Sequence, residues 1–262
     1  MFLAVAVNLL PTQYAQAAPA EPQDYALTSN RTGGLYLQQF SKSNYNDFNP
    51  GTGGFTVEAW IKPTSACDSN YCSYVAKELA YVFAIVGGTY QYALGNGAGW
   101  YPGWTNTGIR ANLDQWQHTA WVRNGQTLTL FINGLQVWSS GTGVGLANMN
   151  IASTGEFTIA GRTVTTNDSF DGLIDEVRFY KSARTQAEIT DEKDRTLTQA
   201  ELASAALAGY WDFNDAEASG QRVRSVQNLA SNGSLDTNLL SRHYGYFNYQ
   251  AVNAVTSANS NT

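Results

Sequence analysis

The chain has 262 residues and a formal net charge of −6, with 14% charged and 13% aromatic residues. The length suits one large domain, and the supply of glycine and aromatic residues favours strands and tight turns over long helices. The acidic balance, without a cluster of lysines and arginines, excludes nucleic acid or an anionic membrane surface as an expected partner, because phosphate binding requires concentrated positive charge.

The chain opens on an apolar run, MFLAVAVNLL, that is too short to span a bilayer. The pattern Ala15-Gln16-Ala17 follows it and has the small-x-small form that signal peptidase cleaves. Residues 1–17 are therefore predicted to be a signal peptide, which implies a secreted or cell-surface protein with no membrane span. The basic segment that normally precedes such a run is missing, and the alternative is a chance apolar stretch.

Strand signals begin at residue 55. FTVEAWIKP, residues 55–63, alternates Phe55, Val57, Ala59 and Ile61 with more polar side chains, a pattern typical of a strand covered on both faces. Gly87-Gly88 and two Asn-Gly pairs supply hairpin turns further on. The other predicted strands are 74–84, 89–94, 116–123, 127–132, 135–138, 157–161 and 172–180, and helical composition is confined to 182–193 and 198–206. Many short strands joined by such turns predict an all-β sandwich or barrel.

Cys67 and Cys72 are the cysteines of this chain, and they lie in a Ser/Asn-rich segment. In an exported protein such a pair predicts a local disulfide. A metal site is the weaker interpretation, since structural zinc normally takes four ligands and no histidine lies nearby in the sequence.

The segment 95–108, GNGAGWYPGWTNTG, is too rich in Gly, Pro and Asn for regular structure. It nevertheless carries Trp100, Tyr101 and Trp104, flanked by three polar residues, Asn96, Asn106 and Arg110. Aromatic faces stack on the apolar faces of sugar rings, and polar side chains can bind the hydroxyls, so this loop is the candidate glycan-binding site. The alternative is that these rings close off the end of the core.

Three segments carry a resemblance to a known family: FTVEAWIKP, then WQHTAWVRNGQTLTLFINGLQV, then FTIAGRTVTTNDSFDGLIDEVRFYKSARTQAEI. Together they resemble the bacterial form of the laminin-G-like jelly-roll domain, of the concanavalin-A-like lectin and glucanase type, over roughly residues 35 to 190. The resemblance implies an all-β fold, a two-sheet antiparallel jelly-roll sandwich with minor short helices. It implies much less about function, because the fold carries lectins, adhesion domains and some glycosidases and lyases.

The resemblance also bears on domain organisation. Residues 18–206 are predicted to form the laminin-G-like domain. LAGYWDFNDAEASGQRVRSVQNLASNGSL, residues 207–235, resembles the segment with which such domains open. Residues 207–262 are therefore predicted either to add final strands to the same sandwich or to be a remnant of a second repeat, with a disordered end.

Members of this family often hold a structural calcium through an Asp on the final strand. Asp175 in GLIDEVRFY occupies the matching position. The usual Asp-Gly partner is missing here, and Ser41, Asn44 and Asp47 stand in its place, so calcium with Asp175, Asn44 and Asp47 as ligands is an expectation. The alternative is that Asp175 accepts hydrogen bonds from the backbone or Arg178.

No catalytic residues are predicted. A sandwich glycosidase needs two carboxylates facing one cleft, and its usual Glu-x-Asp-x-x-Glu string does not occur in this sequence. Glu58 is alone on its strand, and Asp175 and Glu176 are adjacent, which predicts opposite faces. His118 and Tyr180 match residue types used by lyases of this fold, but His118 is expected to pack within the sheet.

Three functions stay open on this evidence. The leading hypothesis is a secreted or cell-surface glycan-binding or adhesion module without catalytic activity, whose partner is a polysaccharide or a glycoprotein glycan. The second is a self-assembling structural surface protein, in which either the aromatic loop or the tail contacts a neighbouring copy. The aromatic run of the tail (Tyr244, Tyr246, Phe247 and Tyr249) is compatible with donation of a strand to that copy. The third is a glycoside hydrolase or polysaccharide lyase.

Overall fold

A computed structural model describes residues 26–29, 37–39, 46–101, 103–142, 146, 148–162, 166–214, 225–226, 228–230 and 239–241. The predicted signal peptide, Asn44 and the aromatic residues of the tail lie outside these ranges.

The described strands form two antiparallel sheets. In chain order they are β1 (Leu27–Ser29), β2 (Leu37–Gln39), β3 (Phe55–Pro63), β4 (Tyr71–Lys77), β5 (Tyr81–Val86), β6 (Thr89–Leu94), β7 (Thr105–Arg110), β8 (Gln117–Asn124), β9 (Thr127–Ile132), β10 (Leu135–Ser139), β11 (Phe157–Ile159), β12 (Gly172–Tyr180), β13 (Leu207–Trp211), β14 (Ser225–Val226) and β15 (Leu239–Ser241). The first sheet has the order β1-β12-β3-β8-β9-β10, with β13 also paired to β12. The second has the order β14-β15-β2-β11-β4-β5-β6-β7. The predicted all-β jelly-roll sandwich is confirmed.

Aromatic side chains from both sheets fill the space between them. Phe83 of the second sheet stacks on Trp121 of the first, with ring centroids 5.0 Å apart. Phe157 stacks on Trp211 at 5.3 Å, and Trp211 belongs to β13, in the segment that follows residue 206. Each buried aromatic removes a large apolar area from water, so these layers dominate the stability of the core. Strand β15 also follows residue 206, and it pairs with β2 in the second sheet.

The alternation predicted for β3 is observed. Phe55, Val57, Ala59 and Ile61 face the core. Their neighbours Thr56, Glu58 and Trp60 are also buried, on the outer face of the first sheet. The strand predicted over 74–84 is instead two strands of a hairpin, because the chain turns at 78–80, where Leu79 takes a φ of +59°.

A β-bulge interrupts β12. The pairing with β3 shifts between Asp175 and Arg178, and Glu176 takes a φ of +50°. Asp175 pairs with Trp60, and Arg178 pairs with Glu58. Because a bulge adds one residue to a strand, Asp175 and Glu176 both lie on the outer face, and the predicted opposite orientation of the two carboxylates is wrong.

Two short helices cover that outer face, α1 (Gln186–Glu192) and α2 (Gln199–Leu202). Each begins with a capping box, in which Thr185 and Glu188, or Thr198 and Glu201, satisfy each other's backbone N–H groups. Ile189 of α1 packs on apolar side chains of β8 and β9. In the described ranges, no helix has the length and apolar character needed to cross a membrane.

The predicted disulfide is present. Cys67 and Cys72 are bonded, with Cα atoms 5.6 Å apart, and both are fully buried. The bond joins a 3-10 turn at Ser65–Asp68 to the start of β4. It therefore fixes the position of Tyr71, the first residue of that strand.

Candidate functional site

The loop between β6 and β7 closes over one end of the outer face of the second sheet. The amide groups of Gly95 and Gly97 donate to the carbonyl oxygens of Ala80 and Leu79 at 2.7 and 2.9 Å. Gly97 has a φ of +84°, which glycine adopts without steric penalty. A Cβ at Gly95 would lie 2.3 Å from the carbonyl oxygen of Leu79. The two glycines therefore allow the loop to pack directly on the β4–β5 turn.

Small apolar side chains form a floor beside this loop. Ala76, Val82, Ala84 and Ala93 make a buried cluster on the outer face of β4, β5 and β6. Trp100 is partly buried and packs against this cluster. Among the aromatic residues predicted for the site, Trp100 therefore packs on the outer face of the second sheet.

Arg162 lies over the indole ring of Trp100, with its guanidinium carbon 5.4 Å from the ring centroid. Its NH2 group donates to Glu78 at 3.0 Å and its NH1 group donates to Asp168 at 2.9 Å. The Arg162 side chain is only 11% exposed. A cation–π contact and two ion pairs therefore hold Trp100 in one orientation.

Three aromatic side chains of this region are exposed. Tyr101 is 63% exposed, Trp104 is 37% exposed and Tyr71 is 44% exposed. The rings of Tyr71 and Trp104 meet edge to face with centroids 5.5 Å apart. Because Tyr71 pairs with Val86 across the sheet while Cys72 faces the core, the Tyr71 ring emerges on the same outer face as Trp104. Sequence reasoning missed Tyr71, since its strand was predicted to begin at Tyr74.

Side-chain hydrogen bonds of Asn96 and Asn106 stabilise the backbone of the loop and of the start of β7. The Asn96 side-chain oxygen accepts hydrogen bonds from the amide groups of Ala98 and Gly99, each at 3.1 Å. The Asn106 oxygen accepts from the amide of Gly108 at 2.7 Å. Both side chains are exposed. Their oxygens are therefore engaged by the backbone, and their NH2 groups are the part that can donate to a ligand.

Arg110 lies at the Tyr71 end of the second sheet. Across the sheet, Tyr71 pairs with Val86, Val86 pairs with Thr89, and Thr89 pairs with Arg110. Arg110 pairs with Asp68, beside the disulfide. Trp104 therefore contacts Tyr71, Trp100 packs on the apolar floor, and Tyr101 is exposed next to Trp100.

Residues that were weighed for catalysis lie on the outer face of the first sheet, closed from solvent. The Nε2 atom of His118 lies 3.3 Å from Oε2 of Glu58, and their side chains are 1% and 0% exposed. Trp60 packs edge to face on His118 and donates through Nε1 to the carbonyl of Lys193 at 2.6 Å. The segment that follows α1 therefore covers this pair.

The neighbouring groups on this face form a buried ionic network. Arg178 donates to Glu176 at 2.5 Å and to the carbonyl of Glu192 at 2.8 Å, and the Tyr210 hydroxyl donates to Glu176 at 2.7 Å. Burial raises the pKa of Glu176, which Arg178 opposes, and burial lowers the pKa of His118. These contacts bind the end of α1 to the first sheet.

Of the residues expected to bind calcium, Asn44 lies outside the described residues, and Asp175 and Asp47 lie at different positions along β12. Asp175 is fully buried and accepts from the amide of Glu176 at 2.7 Å. Asp47 lies 3.9 Å from Lys181, which directly follows β12. Asp175 stands five residues before the end of that strand, roughly 17 Å away at the usual rise. The described residues contain no group of three or more His, Cys, Asp or Glu arranged to hold a metal ion, and calcium stays a prediction.

Three solved structures are similar to this chain, and the first of them shows the same fold. A Bacteroides ovatus protein, provisionally described as carbohydrate-binding, matches with a TM-score of 0.63 at 16% identity, over 90% of this chain and 61% of that chain. A heptameric SAP-like pentraxin from Limulus polyphemus matches with a TM-score of 0.46 at 16% identity, over 64% of this chain and 81% of that chain. Domain 4 of the extracellular arabinanase AbnA from Geobacillus stearothermophilus, solved with arabinotriose, matches with a TM-score of 0.41 at 23% identity, over 53% of this chain and 66% of that chain.

The sequence itself matches no curated protein. A family model does match, Laminin_G_3, and it spans residues 34–190, more than half of the chain. This range contains both sheets' central strands and the loop that carries Trp100, Tyr101 and Trp104. The protein is thus a member of the concanavalin A-like lectin/glucanase superfamily.

Proposed function

We propose that this protein is a non-catalytic glycan-binding module that works outside the cell or at its surface. The observation that carries the proposal is the contacting pair of exposed rings Tyr71 and Trp104 on the outer face of the second sheet, with the exposed Tyr101 next to Trp100 on the apolar floor. Exposed aromatic rings grouped on one face are costly in water unless a ligand covers them. Such rings present flat apolar surfaces that complement the C–H faces of pyranose rings.

Two further observations support this proposal. The buried disulfide suits an oxidising compartment and so supports export. The Glu58–His118 pair is closed from solvent, so a substrate does not reach these groups in the described conformation. That burial favours binding over hydrolysis or elimination as the activity.

The experiment is a glycan array probed with the full chain, followed by titration calorimetry on the strongest ligand, with and without calcium. We expect binding, and we expect Trp104→Ala and Tyr71→Ala each to weaken it by at least about tenfold, the usual effect of removing an aromatic anchor. Leu135→Ala is the matched control, because Leu135 is 65% exposed on β10 of the first sheet. Equal binding by all variants, or no binding by a folded chain, would overturn the proposal.

A second candidate function is self-association, and one observation favours it. β10 is an edge strand of the first sheet, and it exposes Leu135 and Val137 to solvent. An edge strand with apolar side chains can pair with a strand of another chain. Light scattering over a range of concentrations, with Leu135→Lys as the disrupting variant, tests this; a monomer at every concentration rules it out.

A further inference from the structure

We infer that the site selects neutral sugars and discriminates against glycans that carry carboxylate or sulfate groups. This inference rests on the proposed function and concerns the chemistry of its ligand. It depends on the charges that surround the exposed rings, and in particular on how the two arginines of this face are engaged.

Arg162, beside Trp100, already has two anionic partners. Its Nε and NH2 groups contact both carboxylate oxygens of Glu78, and its NH1 group contacts Asp168. All three side chains are mostly buried, with at most 14% exposed. One positive and two negative charges give this group a formal charge of −1. An acidic sugar here would meet an excess of negative charge, and it would have to displace a bidentate carboxylate to reach the guanidinium.

The second arginine is paired as well. Arg110, at the Tyr71 end of the sheet, contacts Asp68, so its charge is compensated. The whole chain adds to this effect, since its formal net charge is −6. Long-range electrostatics therefore also disfavour an anionic polymer.

The polar groups near the rings instead suit hydroxyls. The NH2 groups of Asn96 and Asn106 can donate to sugar oxygens, because their own oxygens are held by the loop. Amides and aromatic faces together can bind a neutral, polyhydroxylated ring without any ion pair.

The test uses acidic polysaccharides, each paired with its carboxyl-reduced form, so that the two ligands share a backbone and differ in charge. Binding of the full chain is measured by calorimetry at low and high salt. We expect the reduced form to bind at least about tenfold more tightly, with an affinity that changes less than about twofold across the salt range, because no ion pair is formed. Tighter, salt-sensitive binding of the acidic form that still requires Trp104 would overturn the inference and leave the proposed function standing. If neither form binds, both the inference and the proposed function are wrong.

A variant test follows from the same contacts. Glu78→Gln combined with Asp168→Asn leaves the Arg162 charge uncompensated, and we expect the affinity for acidic glycans to rise by at least about tenfold, in a salt-dependent way. Asp191→Asn is the matched control, since it removes a carboxylate that pairs with Arg195 on the outer face of the first sheet and should change nothing. If the double variant folds and gains no acidic binding, the compensated Arg162 is not the cause of the discrimination. If the double variant is unfolded, the paired-polysaccharide comparison on the unaltered chain decides the matter.

Discussion

The imidazole of His118 and the carboxylate of Glu58 lie 3.3 Å apart in a part of the first sheet that solvent does not reach. Burial is the main reason why the pKa of His118 is below its ordinary value of 6.5; Glu58 opposes the shift, whereas Arg178 and Lys193 add to it. The folded chain therefore resists a proton that the unfolded chain accepts.

The first prediction concerns stability in mild acid. Because the folded pKa of His118 is depressed, its effect on stability is lost as the pH falls below about 6.5. We expect the free energy of unfolding to fall more steeply in the unaltered chain than in His118→Gln, by up to about 1.4 kcal/mol per pH unit. Urea unfolding of both proteins at about pH 7.5 and about pH 5 measures this difference. Parallel pH dependence in the two proteins would contradict it.

The second prediction separates two tryptophans of the same loop. Trp100 packs on the apolar floor and under Arg162, so Trp100→Ala should lower the free energy of unfolding by about 2 kcal/mol, somewhat less than for a fully buried tryptophan. Trp104 is more exposed, and Trp104→Ala should cost less than about 1 kcal/mol. Denaturant unfolding of the two variants measures both values. The reverse order would show that Trp100 does not anchor the loop.

The third prediction concerns the disulfide. Cys67 and Cys72 are five residues apart, and the chain-entropy relation gives about 2 kcal/mol for so short a loop. The double Ser variant should therefore melt about 5 °C lower than the unaltered chain. Its glycan affinity should fall too, because the bond fixes the start of β4 and with it Tyr71. A lower melting temperature with unchanged affinity would show that Tyr71 is held by other contacts.

The fourth prediction tests the close approach of the loop to the β4–β5 turn. Gly95→Ala would place a Cβ 2.3 Å from the backbone oxygen of Leu79, so the loop must move away. We expect glycan affinity to drop at least about tenfold while the far-ultraviolet circular dichroism stays unchanged. Gly99→Ala is the control, since nothing lies within 4 Å of a Cβ there. Equal affinity for both variants would mean that the loop position does not matter for binding.

Local patterns were sufficient to predict much of this fold. The period-two alternation of β3 and the two Asn-Gly turns that bound β9 are short-range signals, and the structure agrees with them. The bulge in β12 left no comparable signal, because the residue that flips is a glutamate in an apparently regular strand. Its left-handed backbone is stabilised by the ion pair with Arg178 and the hydrogen bond from Tyr210, which lies on a strand distant in the sequence.

The same distinction between local pattern and tertiary structure applies to the candidate site. Composition alone singled out the loop of Trp100, Tyr101 and Trp104, because large aromatic residues in a Gly- and Asn-rich segment are unusual wherever they occur. Only the tertiary structure decided which of these rings is packed and which are exposed, that Tyr71 contacts Trp104, and that Arg110 is paired with Asp68. Those outcomes depend on strand register and on Arg162, 58 positions after Trp104 in the chain. Burial and pairing are properties of contacts between distant segments, which a local pattern of residues does not encode.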